Sequence, residues 1–545
     1  MSTQPKSENT WLDALFQEDA VGLFTQTETP SGSAPEGDAP PARFQPPPQP
    51  REETTAEAQQ KAYLKTQRAL LRPGKSGGLP AADGKPGCYP ALLAPYIFKQ
   101  DSGPYPCWAG TEQSGEGQPA ILPIRALLEQ ILAECAPGNA EAIMLKDNLP
   151  RLERIVKNKC AGTAAPQNPG PLLDEALDEL VLQLDLKGKD GELFLSGINQ
   201  FRKKLPNAGT LIPLSPKAPF QLLDLLLQWQ ANGQKEALKK IITPLLTQLR
   251  QLLAVENSKK PEAQSAASLE ANLDFAGSFL NFEELAAVLP ASSSVAMPEA
   301  RLHRLEQILQ TLGNAESELS GFKPHVLIAE RLEKKFGVAP QALFPHAIAT
   351  SASDSEAFKQ IANVYDEKIR TCSAVFAAIR IARLELDERY QHDVHGDLFA
   401  YFSHADFNED EQALCPAFVL LLHSAELLHL GLNDFSALLA SNRPVKCLAL
   451  KFDAFGHVTP PDKGGKVEPV FRQEPGALAV AHRDAFVLQT SIADPQRLFE
   501  GLWDGLRNPA PAFFYVLSAK PNRQLPGGHL VWASAALGGR EFPFF

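Results

Sequence analysis

The sequence predicts an α/β fold for the C-terminal part of the chain, with a mostly parallel sheet covered by helices on both faces. Two apolar runs, Ala417–Leu422 and Val445–Leu450, flank a helix-length segment, an arrangement typical of a βαβ crossover in a buried parallel sheet. The alternation continues with a strand at Ala485–Gln489, a helix at Pro495–Leu506 and a strand at Ala512–Leu517. A mainly helical region and a disordered N-terminal tail are predicted to precede this domain.

Residues 1–85 are predicted to be a disordered tail and linker. Residues 25–60 are rich in Pro, Gly, Ser, Thr and Glu, and such a composition buries too little apolar surface to offset the entropy lost on ordering. Residues 73–120 are again rich in Gly and Pro and are predicted to be irregular. Near the N-terminus, one side of a short predicted helix carries Trp11, Leu12, Leu15 and Phe16. This segment is interpreted either as a docking segment for the groove of a partner or as a fraying, partly helical tail.

Residues 86–345 are predicted to be mainly helical, and their role stays open. Leucines at helical spacing predict helices over 171–184, 219–232 and 238–252. The pair Asn232-Gly233 is predicted to separate the second helix from the third, and Pro244 to kink the third.

Residues 346–545 are predicted to form the α/β domain, which opens with a long helix. Ser353 and Glu356 have the spacing of a capping box, and an apolar stripe runs on from there to Leu386. The helix is predicted to end before Tyr390.

Several polar clusters have ordinary structural explanations. His392 and His395 lack the spacing of a zinc helix and a cysteine partner, so a solvated loop is predicted rather than a metal site. The acidic segment Asn408–Glu411 lacks the central Gly and alternating ligands of a calcium loop. A helix N-terminus, which favours acidic side chains, explains it better.

The composition limits the compartments in which the protein is expected and the classes of partner that it is expected to bind. The formal net charge is -12, which argues against nucleic acid as a partner because nucleic acid demands a basic face. The N-terminus lacks an apolar signal segment and the sequence contains no membrane-length apolar run, so a cytoplasmic protein is expected. The seven cysteines are scattered and do not predict a disulfide framework or an iron–sulfur cluster. Cys415 and Cys447, at predicted buried strands, are expected to be core thiols.

From Ser353 onward the chain resembles the thiamine-diphosphate domain of the pyruvate:ferredoxin (2-oxoacid:acceptor) oxidoreductases. The main phrases that carry this resemblance are AAIRIARLELD (377–387), LLASNRPVK (438–446), AVAHRDAFVLQ (479–489) and REFP (540–543). The resemblance implies a thiamine-diphosphate-domain-like fold and covers about residues 353–545.

The resemblance also places a cofactor site, at which the family's ligands are replaced. In the family, the first strand ends in Gly-Asp-Gly, whose Asp binds the magnesium of the diphosphate; here the positions are His423, Ser424 and Ala425. The second family strand leads into Asn-Thr-Gly-Gly, where this chain has His457 and the residues after it. Because magnesium prefers carboxylate oxygens, we expect neither a catalytic residue nor a metal at these positions.

Two functional hypotheses follow. The first is a degenerate, non-catalytic relative that serves as a scaffold, regulatory or accessory subunit, with no cofactor, and with oxidoreductase subunits or a second copy of the chain as partners. The alternative is a functional component that decarboxylates a 2-oxoacid with thiamine diphosphate and magnesium, with electron transfer supplied by other chains.

The segment Phe542–Phe545 is strongly apolar. Burying a phenylalanine is worth roughly 1.5–3 kcal/mol over exposing it. We therefore expect this segment to dock against its own domain or a partner subunit.

Overall fold

The computed structural model describes the chain from Tyr105 onward, with gaps. The described residues are 105–111, 119–135, 140–161, 163, 165–259, 265–272, 281–288, 297–425, 427, 431–441, 443–452, 474–518, 530, 533–534, 536–537 and 542–545. The tail and linker predicted for residues 1–85, including the segment around Trp11, lie outside these residues.

The first described part combines helices with a small antiparallel sheet. Its elements are β1 (Cys107–Thr111), β2 (Pro119–Pro123), α1 (Ile124–Cys135), α2 (Ala140–Ala161), α3 (Pro169–Leu184), α4 (Gly188–Lys203) and β3 (Thr210–Ile212). β1 pairs with both β2 and β3, so part of the stretch predicted to be irregular is a sheet. Gly209 lets the backbone pass close to the Trp108 indole. Its φ is +93°, and a Cβ at this position would collide with that ring.

The next element, α5 (Ala218–Ser258), is one continuous helix of 41 residues. The predicted break at Asn232-Gly233 is therefore wrong, and Pro244 is accommodated inside the helix. Tertiary packing overrides the local signal. The Gln234 side chain donates hydrogen bonds to the carbonyls of Ala413 and Cys415 at 2.8 and 2.7 Å, and these bonds hold the Asn-Gly turn of the helix against the start of the C-terminal sheet.

The C-terminal part is built on a six-stranded parallel sheet, which confirms the predicted α/β class. The strands are β4 (His325–Ala329), β5 (Ile348–Ala352), β6 (Phe418–His423), β7 (Lys446–Lys451), β8 (Phe486–Ser491) and β9 (Ala512–Leu517). Their order is β5-β4-β6-β7-β9-β8, and every neighbouring pair is parallel. The two apolar runs of the predicted βαβ unit are β6 and β7, which are adjacent, with Leu420 opposite Cys447.

The sheet begins before the predicted domain start at residue 346. β4 belongs to it and lies between β5 and β6. Its five residues, HVLIA, form an apolar run too short for periodicity to distinguish a strand from a helical segment. The boundary of the α/β domain therefore falls before His325.

Helices cover both faces of this sheet, as the sequence predicts. Those that follow α5 are α6 (Ala266–Asn272), α7 (Phe282–Val288), α8 (Glu299–Glu318), α9 (Glu330–Phe336), α10 (Pro340–Leu343), α11 (Ala357–Leu386), α12 (His392–Ala400), α13 (Glu409–Ala413), α14 (Leu432–Leu439), α15 (Pro475–Val480) and α16 (Pro495–Arg507). Leu420 and Leu422 of β6 pack with α8, α11 and α14, whereas Val419 and Leu421 pack with α9 and α16. This alternation is the period-two geometry of a strand.

Three local predictions have different outcomes. α11 begins at Ala357 and its N-cap, Glu356, makes no side-chain capping bond, so the predicted capping box with Ser353 does not form. His392 lies in α12 rather than in a loop. At α13, the Asn408 side chain accepts from the Glu411 N–H at 2.8 Å and the Glu411 carboxylate accepts from the Asn408 N–H at 3.0 Å. This reciprocal capping confirms the predicted helix N-terminus.

None of the six described cysteines forms a disulfide with another described residue, and Cys415 and Cys447 are buried as predicted. Cys88 lies outside the described residues. Among the helices that the structure describes, none combines the length and apolar character needed to cross a bilayer.

The C-terminal phenylalanines dock onto the edge strand β8 and its neighbour. Phe542 is fully buried, with its ring centroid 5.0 Å from that of Tyr515. The Gln489 N–H of β8 donates to the Phe545 carbonyl at 2.9 Å, and the Phe545 N–H donates back at 3.2 Å. Phe544 stays half-exposed, with the Arg497 guanidinium 3.9 Å from its ring centroid. The segment therefore packs within its own domain.

Phe542→Ala is expected to lower the free energy of unfolding by about 3–5 kcal/mol, because it empties a fully buried ring site. Phe544→Ala, its matched control, is expected to cost under about 1 kcal/mol because that ring is half in solvent. Urea unfolding of both variants checks this. Equal losses would mean that Phe542 does not fill a core site.

His325 is expected to make the fold sensitive to acid. Its ring stacks on Phe418, and burial lowers its pKa from 6.5 to about 4, with the nearby Lys368 charge as a smaller cause. A folded-state pKa below the unfolded one means that the stability present above pH 6.5 is lost as pH falls towards about 4. Replacing it by Phe should remove on the order of 1–2 kcal/mol of this pH dependence, since a half-buried ring is partly screened.

The measurement is urea unfolding of the wild type and His325→Phe at neutral pH and near pH 4.5, within the window set by the lowered pKa. His303→Phe, at an exposed position on α8, is the control. Its free energy of unfolding should change between the two pH values as much as that of the wild type. If His325→Phe shows the same change as the wild type, His325 is not the source of the acid sensitivity.

Candidate functional site

The carboxyl ends of β4, β6, β7 and β9 form the candidate functional site. The direction in which successive strands are added to the sheet reverses at β4. The next strand in the chain, β5, lies on one side of β4, and the one after it, β6, lies on the other side. In open parallel sheets, ligands bind beyond the carboxyl ends of the strands at such a reversal. His423 ends β6 beside the end of β4, and Lys451 ends β7 next to it.

His423 is held by its surroundings on several sides. Its Nδ1 accepts a hydrogen bond from the Ala425 N–H at 3.2 Å, and its Nε2 lies 2.9 Å from the Lys335 ammonium of α9. The imidazole also stacks on Phe452 with ring centroids 5.2 Å apart, and Lys335 lies 4.6 Å from the centroid of the same ring. The two side chains therefore form one packed cluster with Phe452.

Ser424 is buried and hydrogen-bonded. Its hydroxyl lies within hydrogen-bonding reach of the phenol of Tyr515, a residue of β9 that is itself buried. Burial raises the pKa of that phenol well above its usual range, and the hydrogen bond from Ser424 opposes this only in part. The pair is therefore neutral at physiological pH.

Lys451 and Glu474 add an ion pair beside the Ser424–Tyr515 pair. The Lys451 ammonium is 3.5 Å from the Glu474 carboxylate. It also lies 5.8 Å from the ring centroid of Tyr515 and 5.2 Å from that of Phe542. The C-terminal Phe542 thus reaches the candidate site and covers one side of it.

These residues do not fit a magnesium-bound diphosphate. At the position that the resemblance assigns to a magnesium-binding aspartate, the chain has Ser424, whose neutral hydroxyl lies against the Tyr515 phenol. The carboxylate of Glu474 is paired with Lys451. Within the described ranges there is no group of three His, Cys, Asp or Glu side chains placed to hold a metal ion.

The structure brings together some of the predicted site residues and not others. His423, Ser424 and Ala425 lie in sequence at the end of β6, as expected. His457 lies outside the described residues. Of the contributors missed by the sequence analysis, Tyr515 lies in a predicted strand and could have been found from its position near that strand's carboxyl end. Lys335 was hidden because the preceding strand, β4, was not predicted.

In comparisons with known proteins, no protein-family model and no curated sequence matches this chain. The resemblance to the 2-oxoacid oxidoreductases is therefore carried by the quoted phrases alone.

The Ser424–Tyr515 hydrogen bond is expected to stabilise the carboxyl edge of the sheet. Ser424→Ala and Tyr515→Phe should each lower the free energy of unfolding by about 1–2 kcal/mol, because each leaves a buried hydroxyl without this partner. The double variant should lose less than the sum, with a coupling of about 1 kcal/mol. Denaturant unfolding of the four proteins measures it, and strictly additive losses would show that the two hydroxyls are not coupled.

Proposed function

We propose that the C-terminal domain is a degenerate, non-catalytic relative of the thiamine-diphosphate domain of pyruvate:ferredoxin oxidoreductases, and that the protein serves as a scaffold, regulatory or accessory subunit. The placement of the resemblance within the fold supports this. Its phrases include the last third of α11, the first residue of β7 and most of β8. The two strands that would bring the cofactor's ligands together, β6 and β7, are adjacent and parallel.

The engagement of Ser424 is the observation that carries the proposal of lost catalysis. A magnesium ligand at this position needs an ionised oxygen that faces the cofactor. Ser424 is a neutral, buried side chain that lies against the Tyr515 phenol. On one side of it, His423 and Lys335 pack on Phe452; on the other, Lys451 is paired with Glu474 and lies near Phe542. Among the described residues, these polar side chains are thus packed against other parts of the chain.

A subunit of this kind retains the packing of the domain while leaving the chemistry to other chains. We expect it to act in the cytoplasm with oxidoreductase subunits or with a second copy of the chain. Electron transfer through iron–sulfur clusters, where the assembly performs it, would belong to those partners, because the sequence lacks the clustered cysteines that such centres require.

Calorimetric titration of the full chain with thiamine diphosphate and Mg²⁺ tests the proposal. No saturable heat is expected at micromolar ligand, because the carboxylate that would anchor the metal is replaced by the engaged Ser424 hydroxyl.

A parallel titration with a chelator in place of Mg²⁺ separates non-specific attraction of the diphosphate to Lys335 and Lys451 from cofactor binding. A catalytically active family enzyme in the same buffer serves as the positive control. A saturable heat that requires Mg²⁺ would overturn the proposal and favour the working thiamine component.

A further inference from the structure

A cavity of about 560 Å³ lies at the opposite edge of the sheet, below the amino ends of β6 and β7. Its walls come from α5, α11, the segment that leads into β6, and the loop between α16 and β9. The volume is in the range of about 300–1,000 Å³ that small-molecule sites occupy. Nothing in the candidate site at the carboxyl edge accounts for it.

Aromatic side chains form much of the cavity wall. Trp229 of α5 and Trp503 of α16 line it and are both half-buried, and Tyr365 of α11 and Phe407 line it as well. The Trp229 ring is held edge-on against Phe499, with ring centroids 6.1 Å apart. Rigid aromatic walls of this kind suit a flat apolar group, which can stack or pack edge-on against them.

A buried lysine lies in the cavity wall. Lys446, the first residue of β7, is 2% exposed and lines the cavity. Its ammonium donates to the carbonyls of Asn508 at 2.6 Å and Ala510 at 2.7 Å. An ammonium has three donors, and no carboxylate of the described residues is hydrogen-bonded or ion-paired to this one. Burial disfavours the charged form of this amine, and an anion beside it would stabilise that form.

An unpartnered acceptor lies in the same wall. The Gln230 Nε2 donates to the Leu506 carbonyl at 3.3 Å, and its Oε1 is buried with no hydrogen-bond partner among the described atoms. A buried oxygen without a donor costs about 1–3 kcal/mol. The neighbouring Gln234 is already committed, because its Nε2 donates to two backbone carbonyls. An N–H from a ligand that reaches this oxygen would satisfy it.

We propose that this cavity binds a small planar aromatic acid that carries a ring N–H. The carboxylate pairs with Lys446, the ring packs between Trp229 and Trp503, and the N–H donates to Gln230. Burial lowers the pKa of Lys446 to about 7, and a bound carboxylate favours its charged form. The cavity also contains Arg507, which adds positive charge, and Glu409, a carboxylate that the ligand must avoid.

Indole-3-acetate and its neutral analogue indole-3-acetamide are the probes, titrated into the full chain by calorimetry. The acid is expected to bind at one saturable site, and the amide about tenfold more weakly, because only the acid offers a charge to Lys446. In Lys446→Met the preference for the acid should disappear. Lys239→Met, which removes an equal charge from an exposed position on α5, should keep it.

Three outcomes overturn the proposal: no saturable binding of the acid at about 1 mM, equal affinity for acid and amide, or a preference for the acid that survives in Lys446→Met. If Lys446→Met does not fold, the comparison of acid with amide on the wild type and on Gln230→Leu decides the matter. Loss of the Gln230 acceptor should weaken both probes by a similar factor, and unchanged affinities there would equally contradict the assignment. The result is independent of the thiamine titration, since the two sites lie at opposite edges of the sheet.

Discussion

Burial of β6 and β7 on both faces governs the architecture of the C-terminal domain. Every residue from Phe418 to Leu422 and from Lys446 to Leu450 is buried, so each face of the sheet requires a layer of helices. α5 serves both layers: its residues from Phe220 to Leu227 pack in one core and those from Leu238 to Leu249 in the other. A helix that spans two cores cannot stop at Asn232-Gly233 without exposing one of them.

Buried polar contacts fix the position of the helices around that sheet. Glu385 of α11 is 2% exposed and accepts from Arg301 and Arg304 of α8 at 2.8 and 2.6 Å. Gln234 ties α5 to the segment before β6. Removing one partner from such a contact leaves a buried group unpaired, which is far costlier than the contact is stabilising. These bonds therefore specify one arrangement of helices among those that apolar packing alone would allow.

The two edges of the sheet differ in how their polar groups are satisfied. At the carboxyl edge, Ser424 lies against Tyr515, Lys451 pairs with Glu474, and the Phe542 ring lies beside Lys451. At the amino edge, the Lys446 ammonium donates to two neutral carbonyls, and the Gln230 oxygen has no hydrogen-bond partner within the described ranges.

The sequence by itself determined the α/β class, the pair β6 and β7, and the His423–Ala425 end of β6, because long apolar runs and their spacing are local signals. It also determined the capped start of α13, where a side chain and a backbone amide three residues apart satisfy each other. Tertiary structure alone decided that α5 runs unbroken, that β4 joins the sheet, and that Lys335, Tyr515 and Phe542 meet at the carboxyl edge. Those outcomes depend on contacts between residues far apart in the chain, such as Gln234 with Cys415, and no local pattern records the partner of a side chain that lies a hundred or more residues away.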